Sequence, residues 1–234
     1  MNQSSETDPW LHLYGARRRL IACATVIEEM LPFLPADVPY EILDYGLHLH
    51  PAKLKASLQE RIDEAGQLAD VLLLGYGLCA MAVVGLKSST ATLVIPRVDD
   101  CIALFLGSRA AQRAQAQKEP GTYYLTKGWI EVGDSPFEEY KHLVAKYGAA
   151  KAVWMIKLTL ENYTRLGFIN TGQNDIERYR LYAHRVAEQF DLRYEEIEGS
   201  PALVKKMIFG PWDDEFVVIP PGQAVRYEDF GLGS

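Results

Sequence analysis

Short, mostly apolar runs alternate with amphipathic segments along this chain, and that alternation constrains its fold more than any other feature. The runs RLIACAT (19–25) and TATLVIP (90–96) are typical of strands that are buried on both faces of a sheet. Between them, Leu54, Leu58 and Ile62 recur at helical spacing. Strands that alternate with helices predict an α/β fold, with a Rossmann-like parallel sheet flanked by helices.

The same patterns continue to the end of the sequence. Strands are predicted over 19–25, 40–47, 69–74, 90–96, 122–126, 166–171, 192–197 and 216–219. Helices are predicted over 26–34, 51–65, 101–118, 136–146, 149–163 and 175–189, with a strand over 153–158 as an alternative. TLVIP in the first half resembles VVIPP in the second, which would fit two pseudo-repeated lobes.

The domain division follows from this organisation. A polar N-terminal segment (1–18) precedes a first α/β lobe (19–127), which carries all three cysteines. A second α/β lobe with the C-terminal tail covers 128–234. A single continuous domain is the alternative.

Composition excludes several functional classes. The net charge of −7 argues against nucleic acid and anionic membrane surfaces as partners. No apolar run reaches the roughly 18 residues needed to span a bilayer, and the N-terminus lacks the pattern of a secretory signal. Three cysteines is an odd number, so a disulfide framework is not expected. We expect a cytoplasmic protein, with a homodimer as the default assembly.

The three cysteines each lie near the carboxyl end of a predicted strand. Cys23 lies near the end of LIACAT, Cys79 follows VLLLGYGL, and Cys101 follows TLVIPRVDD. Ligands of open α/β sheets bind outside these strand ends, so the three thiols are expected to converge on one metal site. The site would hold a [4Fe–4S] cluster or Zn²⁺. The alternatives are three buried cysteines that bind nothing, or a metal-free nucleophile at Cys101.

Other candidate site residues lie at the same rim. Gly75 and Gly77 flank Tyr76 and would let the backbone approach a cofactor closely, although a tight turn is an equal alternative. His48 and His50 in GLHLHP are predicted to end the second strand on one face, where they and Tyr76 would act as acid–base groups.

Arg97 follows the fourth predicted strand. It is a candidate to bind a carboxylate or phosphate, against the alternative of an ion pair with Asp99 or Asp100.

Further candidates lie at the end of the first lobe and in the second lobe. The segment PGTYYLTKGW places Tyr123, Tyr124, Lys127 and Trp129 close together, as a pocket wall or as a strand on the core. Asn170 follows LGFI at another strand end and would bind ligand through its amide. Tyr124, Lys127 and Asn170 are therefore predicted cofactor-binding residues.

Several of these segments resemble the uncharacterised domain-of-unknown-function family 1638. The most specific are GYGLC and DDCIALFLGS, supported by GLHLHPAKLKASLQERID and PGTYYLTKGWIE. The position before the third cysteine, often His-Asp in the family, is Asp99–Asp100 here. The resemblance implies a setting beside corrinoid-dependent methyl-transfer systems.

Two functions follow as hypotheses. The first is a metalloprotein enzyme that acts on a small-molecule substrate at an open coordination position, as a lyase or in methyl transfer. The second is a non-catalytic accessory protein that binds a metal, a corrinoid or a methylamine for a methyltransferase.

Overall fold

A five-stranded sheet forms the first half of the fold in a computed structural model, which describes residues 9–133 and 135–231. Its strands are β1 (Arg18–Cys23), β2 (Tyr40–Leu43), β3 (Val71–Gly75), β4 (Thr92–Pro96) and β8 (Phe216–Ile219). The order across the sheet is β2-β1-β3-β4-β8. The first four strands are parallel, and β8 pairs antiparallel with β4.

A second, three-stranded parallel sheet has the order β5-β6-β7. Its strands are β5 (Thr122–Leu125), β6 (Arg165–Asn170) and β7 (Arg193–Glu198). The α/β class and the mostly parallel pairing are therefore confirmed.

Helices connect the strands of both sheets. They are α1 (Ala24–Met30), α2 (Pro51–Ala65), α3 (Ile102–Leu106), α4 (Arg109–Lys118), α5 (Lys127–Val132), α6 (Pro136–Tyr147), α7 (Ala149–Thr159), α8 (Ile176–Gln189) and α9 (Ala202–Phe209). Short 3₁₀ helices cover Leu11–Leu13, Tyr45–Leu49 and Tyr227–Phe230. The range 153–158 is helical, so its alternative as a strand is wrong.

Burial explains why the apolar runs are strands. Every residue of β3 and β4 is buried, as expected for central strands that are covered by helices on both faces. In α2, Leu54, Leu58 and Ile62 face this core.

The prediction that His48 and His50 end a strand is wrong. β2 ends at Leu43, and Asp44 then accepts a hydrogen bond from the Gly46 amide at 2.7 Å, which closes a 3₁₀ turn. His48 lies in this turn, and His50 precedes α2. The alternating leucines and histidines mimic a strand, but the local Asp-capped turn decides the conformation.

The single helix predicted over 101–118 is also wrong. It is divided into α3 and α4 at Gly107, whose φ of +85° is left-handed. A Cβ at this position would lie 2.5 Å from the Ser200 Cβ, so the close approach of another segment also requires glycine there.

Two chain crossings connect the sheets. β5 lies within the predicted first lobe, but it pairs in the three-stranded sheet. β8 then returns the chain to the five-stranded sheet. TLVIP and VVIPP are consequently neighbours in one sheet rather than equivalent strands of two lobes. The division into domains stays a prediction, and residues 1–8 of its N-terminal segment lie outside the described residues.

Within the described ranges, no helix combines the length and apolar character that crossing a bilayer requires.

Candidate metal centre

The three cysteines come from the carboxyl ends of three neighbouring strands. Cys23 is the last residue of β1, while Cys79 and Cys101 lie in the segments that follow β3 and β4. Because β3 lies between β1 and β4, its loop is the neighbour of both other cysteine-bearing segments. The strand order therefore places the three cysteine-bearing segments side by side at one rim of the sheet.

Gly75 and Gly77 allow these segments to approach one another. A Cβ on Gly75 would lie 2.6 Å from the Ala22 Cβ, next to Cys23 in the chain. A Cβ on Gly77 would lie 2.7 Å from the Val98 carbonyl oxygen and 2.9 Å from the Asp100 nitrogen. One glycine therefore fits the loop against β1, and the other fits it against the segment that leads to Cys101.

Backbone hydrogen bonds hold the loop in this place. The Leu78 amide donates to the Val98 carbonyl at 2.9 Å, and the Cys79 amide donates to the Asp99 carbonyl at 3.0 Å.

The backbone at Cys79 is strained. Cys79, Ala80 and Met81 have φ values of +45°, +54° and +72°, a left-handed conformation that non-glycine residues seldom adopt. Such strain persists only where the surroundings enforce it, and it is concentrated at functional sites.

The thiols share one electrostatic environment. Burial raises the pKa of the Cys79 thiol to about 12, and the charge of a Cys23 thiolate contributes to this rise. Burial, with Cys23 and Cys79 as further causes, raises the pKa of Cys101 well above its ordinary value. Burial also raises the pKa of Cys23, whose Sγ lies 3.1 Å from the Thr25 Oγ1. All three thiols are free.

The sulfurs are not arranged as a finished ligand set. Across residues 9–133 and 135–231, no three His, Cys, Asp or Glu side chains form a group that could hold a metal ion.

Tyr76 lies in the same environment. Its side chain is 1% exposed, and its hydroxyl has no hydrogen-bond partner within the described part of the chain. Burial raises the pKa of Tyr76 well above its ordinary value, and the three cysteines add to this effect. The His48 ring stacks on the Tyr76 ring with 5.9 Å between centroids. His48 thus reaches the site from a 3₁₀ turn instead of from a strand end.

Asp100 is a half-buried carboxylic acid at the same rim. Its carboxylate accepts from the Ile102 amide at 2.9 Å and from the Gln112 side chain at 2.6 Å, so it provides an acceptor for the first backbone donor of α3. Burial raises the pKa of Asp100, with the charge of Asp99 as a further cause.

The remaining predicted residues of the first lobe lie apart from this group. His50 is exposed at the start of α2. Arg97 donates to the Phe216 carbonyl at 3.2 Å and borders a separate cavity beside α4. Neither Asp99 nor Asp100 pairs with it among the described residues, so the ion-pair alternative for Arg97 is wrong.

Lys127 donates to the Gln173 side chain at 3.3 Å, and Asn170 donates to Glu196 at 2.8 Å.

The aromatic rings of the segment 120–129 pack against different partners. The Tyr123 ring packs edge-on against Phe137 and Tyr163, at 5.3 and 5.4 Å. The Trp129 ring packs in the same way against Phe105, at 5.3 Å. These contacts place Trp129 in the hydrophobic core and pack Tyr123 against it. Tyr124 lies on the same strand and is half-buried.

Sequence reasoning missed a buried carboxyl group at Glu29, in α1. Glu29 accepts hydrogen bonds from the Gly128 amide at 3.3 Å, from the Thr171 hydroxyl at 2.6 Å and from the Gln173 side chain. Burial raises the pKa of Glu29. In the sequence, the pair Glu28–Glu29 is typical of a solvent-exposed helix face. No local signal therefore predicts the contact of Glu29 with the second lobe.

Comparisons with known proteins place the chain in a family but give it no activity. No curated protein and no solved structure matches the chain. The model of a family described as "protein of unknown function (DUF1638)" matches residues 42–208. The match includes Cys79 and Cys101, whereas Cys23 precedes it. Since the matched residues make up more than half of the 234-residue sequence, the chain belongs to the DUF1638 family.

Proposed function

We propose that this chain is a metalloprotein in which Cys23, Cys79 and Cys101 bind one Zn²⁺ ion or one [4Fe–4S] cluster. The observation that carries the proposal is the shared environment of the three thiols, which come from segments at adjacent strand ends. Burial raises the pKa of each thiol, Cys23 adds to this effect at Cys79, and Cys23 and Cys79 add to it at Cys101. A cation in this place would offset the cost of three close thiolates. A coordinating thiol is deprotonated even where its pKa is otherwise high.

The raised pKa values argue against a metal-free nucleophile. The thiolate is the reactive form of cysteine, and nucleophilic cysteines have a lowered pKa. With a pKa of about 12, only about one Cys79 in 10⁵ is ionised at pH 7. The pKa of Cys101 is also raised, so the alternative of a nucleophile at Cys101 is disfavoured.

Tyr76 supports a bound group at this site. A buried hydroxyl without a partner is unfavourable by about 1–3 kcal/mol, and native proteins seldom leave one. A ligand next to the thiols would give this hydroxyl an acceptor. Tyr76 would then orient a substrate, and His48, stacked on its ring, would act as the proton carrier.

Metal binding requires the thiols to move together. They are not arranged as a ligand set before binding, so rotation of the cysteine side chains must complete the site. Three thiolates leave one position open on Zn²⁺ or on one iron, where a small-molecule substrate can be polarised or its thiol activated. The family resemblance favours methyl transfer linked to a corrinoid protein. Free thiols fit the reducing cytoplasm, where we place the protein.

Elemental analysis of anaerobically purified protein tests this proposal. About one zinc per chain in colourless protein would select the mononuclear site, and brown protein with about four irons would select the cluster. The Cys79→Ser variant should lose the metal. The Ser108→Ala variant, which removes the cap of α4 and costs about 1 kcal/mol, should keep it and controls for lost stability.

A metal content that is near zero, or that is unchanged in Cys79→Ser, would refute the ligand assignment. Metal bound without turnover of any added thiol or methyl donor would leave the accessory role, in which the chain delivers the metal to a methyltransferase.

A further inference from the structure

Three arginine side chains, from the end of β4 and from α4, border one cavity. Arg97 follows β4, and Arg109 and Arg113 lie one turn apart in α4. The cavity has a volume of about 290 Å³. Its other lining residues are Val98, Ala110, Leu203, Asp214 and Glu215. This size is close to the lower limit of pockets that hold small ligands.

Three donor atoms of this cavity are buried and make no hydrogen bond within the described part of the chain. The Nε of Arg97 and the Nε and Nη2 of Arg109 have no hydrogen-bond partner in the described part of the chain. The nearby carboxylates do not supply one. Glu215 is paired with Lys206 at 2.6 Å, and Asp214 is exposed at the rim.

The positive charges also repel one another. Burial lowers the pKa of the Arg109 guanidinium, with Arg113 and Arg97 as further causes, while Asp99 acts in the opposite direction. A bound anion would compensate the charge of these neighbouring guanidinium groups. It would also accept hydrogen bonds from their unpaired N–H groups.

We propose that this arginine cavity binds an oxyanion, the phosphate or carboxylate group of a small molecule. The planar guanidinium groups of Arg97 and Arg109 would each donate to its oxygens, and the exposed Arg113 would contribute charge at the entrance. The inference does not depend on the proposed metal, because no cysteine contributes to it. It has one connection to that site: the short segment 97–100 carries Arg97 and also holds the Cys79 loop through Asp99.

Calorimetric titration of the purified chain with inorganic pyrophosphate and, separately, with citrate tests the inference. The wild-type chain should bind at least one of the two with a Kd in the millimolar range or below, and the tighter of the two identifies phosphate or carboxylate as the preferred group. Arg97→Gln and Arg109→Gln should each weaken that binding by about tenfold or more, since each removes a charge-assisted hydrogen bond.

Two further variants make the result decisive. Arg109→Lys keeps the charge but not the planar fork, and it should also bind more weakly. Arg185→Gln changes an exposed arginine of α8, far from the cavity in the sequence, and should bind as the wild type does. Circular dichroism checks that each variant is folded.

An absence of saturable binding of both anions to the wild type would overturn the inference. Equal affinities of folded Arg109→Gln and wild type would overturn it as well. Thermal unfolding in phosphate-free buffer is an independent test. Arg109→Gln removes a guanidinium group that other arginines repel and that lacks hydrogen-bond partners, so its melting temperature should be unchanged or raised.

Discussion

Metal uptake by the three thiols should release about three protons per ion at pH 7. The raised pKa values of Cys23, Cys79 and Cys101 mean that all three thiols are protonated in the metal-free chain. Only the thiolates coordinate a metal, so each ligand must lose its proton on binding. The chain should therefore bind Zn²⁺ more tightly as the pH rises.

The magnitude follows from linkage. Three protons released per ion correspond to an apparent affinity that rises by about 10³-fold for each pH unit, for as long as the pH stays below the lowest of the three pKa values. Ordinary thiols with a pKa near 8.5 would lose this dependence above about pH 8. Because the pKa of Cys79 is raised to about 12, the affinity for zinc should continue to rise with pH above about pH 8, although less steeply.

Calorimetry of zinc binding to the metal-free chain gives the proton count. The apparent enthalpy at pH 7 is measured in buffers of different ionisation enthalpy, and its slope equals the number of protons released. The slope should be about three for the wild type, and Cys79→Ser, which should lose the metal, should give no heat of zinc binding. A slope below about two for the wild type, or a pH-independent affinity, would refute the assignment of the thiols as ligands.

Three further changes test individual contacts. Gly77→Ala should destabilise the chain by about 2–4 kcal/mol in urea unfolding and lower its metal content, because the added methyl group collides with the backbone of Val98 and Asp100. An unchanged midpoint of urea unfolding would contradict the close approach of these segments. Tyr76→Phe should leave the metal-free chain equally stable or more stable by about 1–3 kcal/mol, since it removes a buried hydroxyl without a partner; a large loss of stability would show that the hydroxyl is satisfied. Glu29→Ala should cost about 2–4 kcal/mol in urea unfolding, because it leaves donors of the second lobe buried without an acceptor; a cost below about 0.5 kcal/mol would contradict this link between the lobes.

The strands and the positions of the cysteines were predictable from the sequence for a physical reason. A strand buried on both faces needs a continuous apolar run, and β3 and β4 consist of such runs. The glycine-flanked turn after β3 was also recognisable. Its two separate contacts, with Ala22 and with Val98, depend on the strand order, which the sequence does not specify.

Other parts of the site depend on distant contacts and left no local signal. The arginines of α4 lie four residues apart, a spacing that is usual on a solvated helix face. They face Arg97 only because the segment before β8 returns to β4 and closes the cavity. The placement of His48 failed for a different reason, since Asp44 favours a turn locally while the alternating side chains favour a strand.

The return of β8 has a consequence for how the protein is made. β8 follows every other strand in the sequence, yet it pairs with β4, which is complete more than a hundred residues earlier. During synthesis, the backbone donors and acceptors along that side of β4 stay without their partner strand until the ribosome has produced β8. The nascent protein thus has an open sheet edge between the synthesis of β4 and that of β8, and chaperone dependence should be greatest in that interval.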